Sequence, residues 1–189
     1  DPSANSYVFA LVVSGSTVYA AGNFSTIGGQ PRSYLAELDV ATGAATPWNP
    51  SAVSSFGSIL ALAVTGSSVY AGGFFDGLGG QPRRYLAAVD RASGLATGWD
   101  PHAFGGVFAL GSDGSIVFAG GDVSSVGGLV RERIAAIDVT TGMPTSWNPG
   151  ADNGVVALAA AGSTLYAGGL FTSIGGQSRS AIAALDAAT

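Results

Sequence analysis

Short apolar stretches of five to seven residues alternate along the chain with turn-forming clusters of Gly, Ser, Asn and Pro. In the first group, Tyr7 to Val13 and Thr17 to Ala21 are rich in aromatic and β-branched residues and flank Ser14-Gly15-Ser16, the pattern of a β-hairpin. A loop through Asn23 to Pro31 leads to Ser33 to Asp39, then to the turn Val40-Ala41-Thr42-Gly43, then to a short segment ending at Trp48 and stopped by Asn49-Pro50. This order predicts four strands. Neither strand face is polar: in the next group Leu86 and Ala88 lie on one side of the third strand, and Tyr85, Ala87 and Val89 on the other. Such a sheet is expected to be covered on both faces. No stretch shows helical periodicity. The longest apolar runs, Tyr7 to Val13 and Val155 to Ala161, are seven residues each, against ~18 or more for a membrane-spanning helix.

The group recurs four times, with spacings of 51, 48 and 48 residues. Tyr19, Tyr70, Phe118 and Tyr166 hold one position, and Arg32, Arg83, Arg131 and Arg179 another. A glycine pair falls at Gly28-Gly29, Gly79-Gly80, Gly127-Gly128 and Gly175-Gly176, and an aspartate at Asp39, Asp90, Asp138 and Asp186. Trp48, Trp99 and Trp147 end three repeats. The fourth has no counterpart of Gly43 to Trp48. Asp1 aligns with Asn49, so the chain starts inside a repeat and reads as a segment of a longer precursor. The three extra residues of the first repeat fall between Trp48 and Ile59, where an inserted surface loop costs little.

Four-stranded sheets of this length, each covered by its neighbours, predict an all-β fold: a β-propeller segment in residues 1–189. Its repeats span about 7–58, 59–106, 107–154 and 155–189, each forming a four-stranded antiparallel blade, with the last blade incomplete. A β-solenoid is the alternative. Small residues at Ala20, Ala71, Ala119 and Ala167 would let neighbouring sheets approach closely.

Val18-Tyr19-Ala20-Ala21-Gly22-Asn23-Phe24-Ser25-Thr26-Ile27-Gly28-Gly29-Gln30-Pro31-Arg32, then Leu35 to Asp39 and Trp48-Asn49-Pro50, resemble the bacterial delta-60 repeat propellers. The likeness extends over all four repeats. It implies a large secreted or cell-surface bacterial protein without established catalytic residues. Leu129-Val130 in place of Gln-Pro, Ser178 in place of proline and Asp122 in place of Asn23 depart from the pattern, which argues against identical ligand pockets in every blade. Weaker similarity links Asp39-x-x-Thr42-Gly43 and a later tryptophan to quinoprotein-type repeats, and the glycine doublet to Kelch repeats.

Composition narrows the chemistry. The chain has no lysine and no cysteine, which removes P-loop, Schiff-base and kinase lysines, disulfides, zinc thiolates and thiol nucleophiles. A net charge of −5 and scattered arginines disfavour nucleic acid and anionic membranes. Thirty glycines among 189 residues fit a turn-rich body. Asn23-Phe24-Ser25 is the sole N-glycosylation sequon.

The only histidine, His102, sits in the loop Asp100-Pro101-His102-Ala103, with Ser51 and Gly150 as counterparts. Any triad or general base would have to use it, but no patterned nucleophile accompanies it, and it reads as exposed. Asp39, Asp90, Asp138 and Asp186 each begin an Asp-x-x-Thr/Ser-Gly turn (Asp186 only as far as Thr189), where a carboxylate accepts backbone N–H bonds. Gly43, Gly94 and Gly142 would close that turn with positive φ. Trp48, Trp99 and Trp147 suit packing between blades, with sugar stacking as the alternative. The candidate ligand- or partner-binding residues are Gln30, Arg32, Gln81, Arg83, Arg131, Gln177 and Arg179, the guanidinium forks being suited to an aspartate of the same or adjacent blade or to a carboxylated ligand. No cofactor or metal site is expected.

The sequence therefore points to a non-catalytic extracellular or cell-surface propeller acting as a structural or interaction scaffold. The alternatives are a lectin-like propeller, or the recognition part of a secreted enzyme whose chemistry lies elsewhere. A protein or glycan is the expected partner, with neither nucleic acid nor membrane insertion. Homo-oligomerisation, or assembly with further repeats of the same precursor, completes the expectation.

Overall fold

A computed structural model describes residues 1–55 and 57–189. Its described residues contain strands and turns and no helix. In the first repeat the strands are β1 (Val8–Ser14), β2 (Thr17–Gly22), β3 (Thr26–Ile27), β4 (Gln30–Pro31) and β5 (Leu35–Asp39). In the second they are β6 (Ile59–Thr65), β7 (Ser68–Gly73), β8 (Gly77–Leu78), β9 (Gln81–Pro82) and β10 (Leu86–Asp90). The third contains β11 (Val107–Ser112), β12 (Ile116–Gly121), β13 (Ser125–Val126), β14 (Leu129–Val130) and β15 (Ile134–Asp138). The fourth contains β16 (Val155–Ala161), β17 (Thr164–Gly169), β18 (Ser173–Ile174), β19 (Gln177–Ser178) and β20 (Ile182–Asp186). The chain divides into two compact units, Asp1–Gly98 and Trp99–Thr189.

Each repeat builds one antiparallel three-stranded sheet, with β2, β7, β12 or β17 in the centre. The expected fourth strand is reduced to a single bridge in three repeats, Leu38↔Ala45, Val89↔Ala96 and Ile137↔Pro144. In the first and third repeats Pro47 and Pro144 cannot donate to a ladder, and in all three the Asn-Pro or Asp-Pro that follows Trp leads the chain away. The stretch expected as a loop after the second strand instead holds a two-stranded ribbon, β3-β4 and its three counterparts. Its Gly-Gly corner has positive φ at both residues, 61° and 76° in the first repeat, the requirement of a type I′ turn. Position 56, within the loop that carries the extra residues, lies outside the described residues.

In the first unit Tyr19, Ala21 and Leu35 of one sheet pack with Ile59, Leu62, Val69 and Ala71 of the next. The second unit repeats this with Phe118, Ile134 and Ala136 against Val155, Leu165 and Ala167. The four small residues Ala20, Ala71, Ala119 and Ala167 are all buried; Ala71 and Ala167 pack in the clusters that join neighbouring sheets, whereas Ala20 is buried within its own repeat.

Coverage on both faces holds for β10 and β15, but not for every sheet. Phe9, Leu11 and Val13 of β1 are exposed, as are Tyr166 of β17 and Ile182 of β20. These belong to the first sheet of one unit and the second sheet of the other.

Candidate functional site

The recurring residues converge on the short segment between the Asp turn and the Trp. In the first repeat Asp39 N donates to Ala44 O (2.9 Å) and Thr46 N to Glu37 O (2.9 Å), while on the other edge Ala45 N donates to Gly28 O (3.0 Å). The second repeat matches it through Asp90 N to Leu95 O, Thr97 N to Ala88 O and Ala96 N to Gly79 O. In the third, Asp138 N reaches Met143 O and Thr145 N reaches Ala136 O. The segment thus lies between the sheet edge and the glycine pair.

The arginines hold this segment from the side. Arg32 donates from Nη2 to Thr46 O (2.5 Å) and from Nε to Trp48 O (3.2 Å). Arg83 Nη2 reaches Thr97 O (3.3 Å), and Arg131 Nη2 reaches Thr145 O (2.7 Å). Three of these forks thus serve backbone carbonyls of the departing segment. Arg131 is the most enclosed, at 6% exposure. The candidates Gln30, Gln81 and Gln177 lie exposed on the two-residue ribbons, apart from this cluster.

Each Trp then fastens the segment to the next repeat. The indole Nε1 of Trp48 donates to Asp90 O (3.1 Å), that of Trp99 to Asp138 O (2.9 Å) and that of Trp147 to Asp186 O (2.8 Å). Trp48 meets Tyr19 edge-on with ring centroids 5.3 Å apart, and Trp147 meets Phe118 at 5.4 Å. The proline carbonyl two residues after each Trp accepts from the first residue of a glycine pair, Pro50 O from Gly79 N (2.7 Å) and Pro149 O from Gly175 N (3.1 Å). Trp-Asn-Pro is a clip between consecutive repeats, and the indoles are buried rather than offered to a sugar.

The aspartates organise the turns that the clip grips. Asp39 Oδ1 accepts from Thr42 Oγ1 (2.7 Å) and Thr42 N (2.8 Å), and Asp138 Oδ1 from Thr141 N (2.7 Å) and Thr141 Oγ1 (2.9 Å). Gly43, Gly94 and Gly142 close the turns with φ near 72°. The hydroxyls of Thr42 and Ser93 are the main cause holding Asp39 and Asp90 below the usual carboxylate range, and the amides of Thr141 and Ala188 do so for Asp138 and Asp186. Asp152 is lowered further, to about 2, by the hydroxyl of Thr172 and then the amide of Ser173.

These shifts fix the acid response. A folded-state pKa below the unfolded value stabilises the fold above that unfolded value, and the contribution is lost as pH falls through the folded one. Stability measured by urea unfolding should therefore decline from about pH 5 towards about pH 2. Asp152→Asn should make that decline shallower, and an unchanged pH slope in this variant would contradict the assignment.

His102 is exposed, with Nδ1 3.6 Å from Asp100 Oδ1. Its φ of 47° places it in the left-handed region shared by Ser51 (48°) and Gly150 (59°), so the position is a backbone corner. Asn23 of the sequon is exposed and Phe24 is fully buried.

One network has no repeat signature. Tyr19 Oη donates to Glu37 Oε1 (3.1 Å) and accepts from Arg91 Nε (3.2 Å). Arg91 also reaches Ser14 Oγ (2.9 Å), while Thr46 Oγ1 donates to Glu37 Oε2 (2.9 Å). Arg91 and Glu37 are replaced by other residue types in the remaining repeats, so the periodic pattern gave no signal for them.

No family model and no curated protein matches the chain. Among solved structures it is similar to the computationally designed Ika4 protein, with a TM-score of 0.61 at 15% identity over 96% of this chain and 92% of that one. The chain has a β-propeller-like repeat fold. The designed Ika8 protein follows at TM-score 0.55 and 16% identity, covering 92% of this chain and 58% of the other. A chain of a Mitotic Checkpoint Complex follows at 0.52 and 13%, covering 86% and 46%. At such identities the likeness concerns fold alone.

Proposed function

We propose that the protein is a non-catalytic β-propeller scaffold, its four repeats serving as blades. It acts outside the cell or at the cell surface, in keeping with the resemblance to delta-60 repeats. One observation carries the reading: the recurring polar side chains are engaged with the chain's own backbone, arginine on the fourth segment, tryptophan on the next repeat's turn and aspartate within that turn. The ribbon tips are exposed and are not identical, Gln30, Gln81 and Gln177 giving way to Leu129 in the third repeat. Those tips are the surface offered to a protein or glycan partner.

The purified chain should leave glycoside, carboxylic-ester and phosphate-ester substrates unchanged. Turnover that disappears in His102→Ala or Asp138→Asn would overturn the proposal.

A further inference from the structure

Beside the ribbon of the third repeat opens a cavity of about 430 Å³, with Ser124, Arg131, Glu132, Arg133 and Asp152 on its walls. That size suits a small ligand. Backbone bonds hold the walls in place. Arg131 N donates to Ser124 O (3.0 Å) and Arg133 N to Val123 O (2.8 Å), while Ala151 N donates to Glu132 O (2.9 Å) and Asp152 N to Ser173 O (3.2 Å). The Asp152 carboxylate is fixed in turn by Thr172 and Ser173.

The two arginines of this cavity differ in how their charge is compensated. Arg133 is half-buried, and its Nη1 lies 3.1 Å from Asp122 Oδ1. Its φ of 69° matches those of its counterparts Tyr34, Tyr85 and Ala181, so one backbone frame recurs and only here carries a cation. Arg131 is buried and donates from Nη1 to Val130 O (2.8 Å) and from Nη2 to Thr145 O (2.7 Å). Among the described residues it forms no ion pair, and its Nε has no hydrogen-bond partner. A cation withdrawn from water and met only by carbonyls is poorly compensated. Glu132 and Asp152 are exposed, where water screens their charge.

We propose that this cavity binds a carboxylated sugar, a hexuronic acid unit of a glycan. The sugar carboxylate pairs with the Arg133 guanidinium and supplies the counter-charge that Arg131 lacks. Ring hydroxyls donate to Glu132, Asp152 and Ser124 Oγ. The mixed signs set the selectivity. A phosphate dianion is repelled by the two carboxylates, a neutral sugar has no anchor on the arginines, and an acidic peptide side chain has no hydroxyls for the carboxylates. The assignment rests on the scaffold reading above and names the glycan as its partner.

The test is titration of the 189-residue chain with methyl glucuronide, methyl glucoside, inorganic phosphate and N-acetylglutamate, followed by amide chemical shifts. Saturable shifts at Ser124, Arg133, Ala151 and Asp152 are expected with the glucuronide, and the other three should bind at least about tenfold more weakly. Arg133→Gln should weaken glucuronide binding about tenfold while circular dichroism stays unchanged, since the side chain reaches solvent. No saturation with the glucuronide, equal binding of the glucoside or phosphate, or full affinity in Arg133→Gln would each overturn the proposal. Tighter binding of N-acetylglutamate would overturn it in favour of an acidic protein segment. None of these failures would bear on the turnover assay.

Discussion

Trp147→Ala should lower the stability of the second unit by about 3–5 kcal/mol, the range for truncating a buried aromatic side chain. The indole is 95% buried, packs on Phe118 and donates to Asp186 O. Truncation empties the space over Phe118 and removes the bond to the next repeat's turn. Trp147→Phe separates the two contributions: it keeps much of the apolar packing, loses the bond, and should cost nearer ~1–2 kcal/mol. Urea unfolding followed by circular dichroism measures both. A loss below about 1 kcal/mol in the alanine variant would mean that Trp147 does not clip the repeats together.

The same reasoning explains which parts of the fold were legible in the sequence. Tryptophan, aspartate and the glycine pair each satisfy a local demand that few residue types can meet, namely a large buried ring with one donor, an acceptor for turn amides, and two successive positive φ angles. Their recurrence therefore revealed the repeat, and their roles followed from chemistry. The two-residue ribbons were missed because strands as short as Thr26–Ile27 and Gln30–Pro31 leave no alternation to read. The Gly28-Gly29 corner between them was the available signal.

The carbonyl bonds of the arginines were not legible for a different reason. A guanidinium bound to an aspartate would have a partner of opposite charge at a fixed spacing, whereas one bound to the carbonyls of Thr46, Thr97 or Thr145 has a partner that any sequence supplies. The exposed faces of β1, β17 and β20 escaped as well. Their sequences resemble those of the buried sheets, and exposure depends on whether another sheet lies alongside. Arg91, Glu37 and Tyr19 form a contact found once, which periodicity cannot reveal.

The claim at the centre of this account is that the recurring residues of each repeat hold a fourth segment against the glycine pair. One alanine substitution made at two equivalent positions tests it most directly. Gly79 and Gly175 have nearly the same backbone, φ 62° and 64°, so alanine imposes similar left-handed strain at either, about 1–3 kcal/mol. They differ in what the new methyl group meets. At Gly79 it would lie 2.1 Å from Ala96 N, and at Gly175 3.4 Å from a leucine methyl. Overpacking against backbone adds about 1–3 kcal/mol, so in urea unfolding Gly79→Ala should be the more destabilised of the two by that margin. Equal losses in the two variants would contradict the account, because they would show that no segment presses on Gly79.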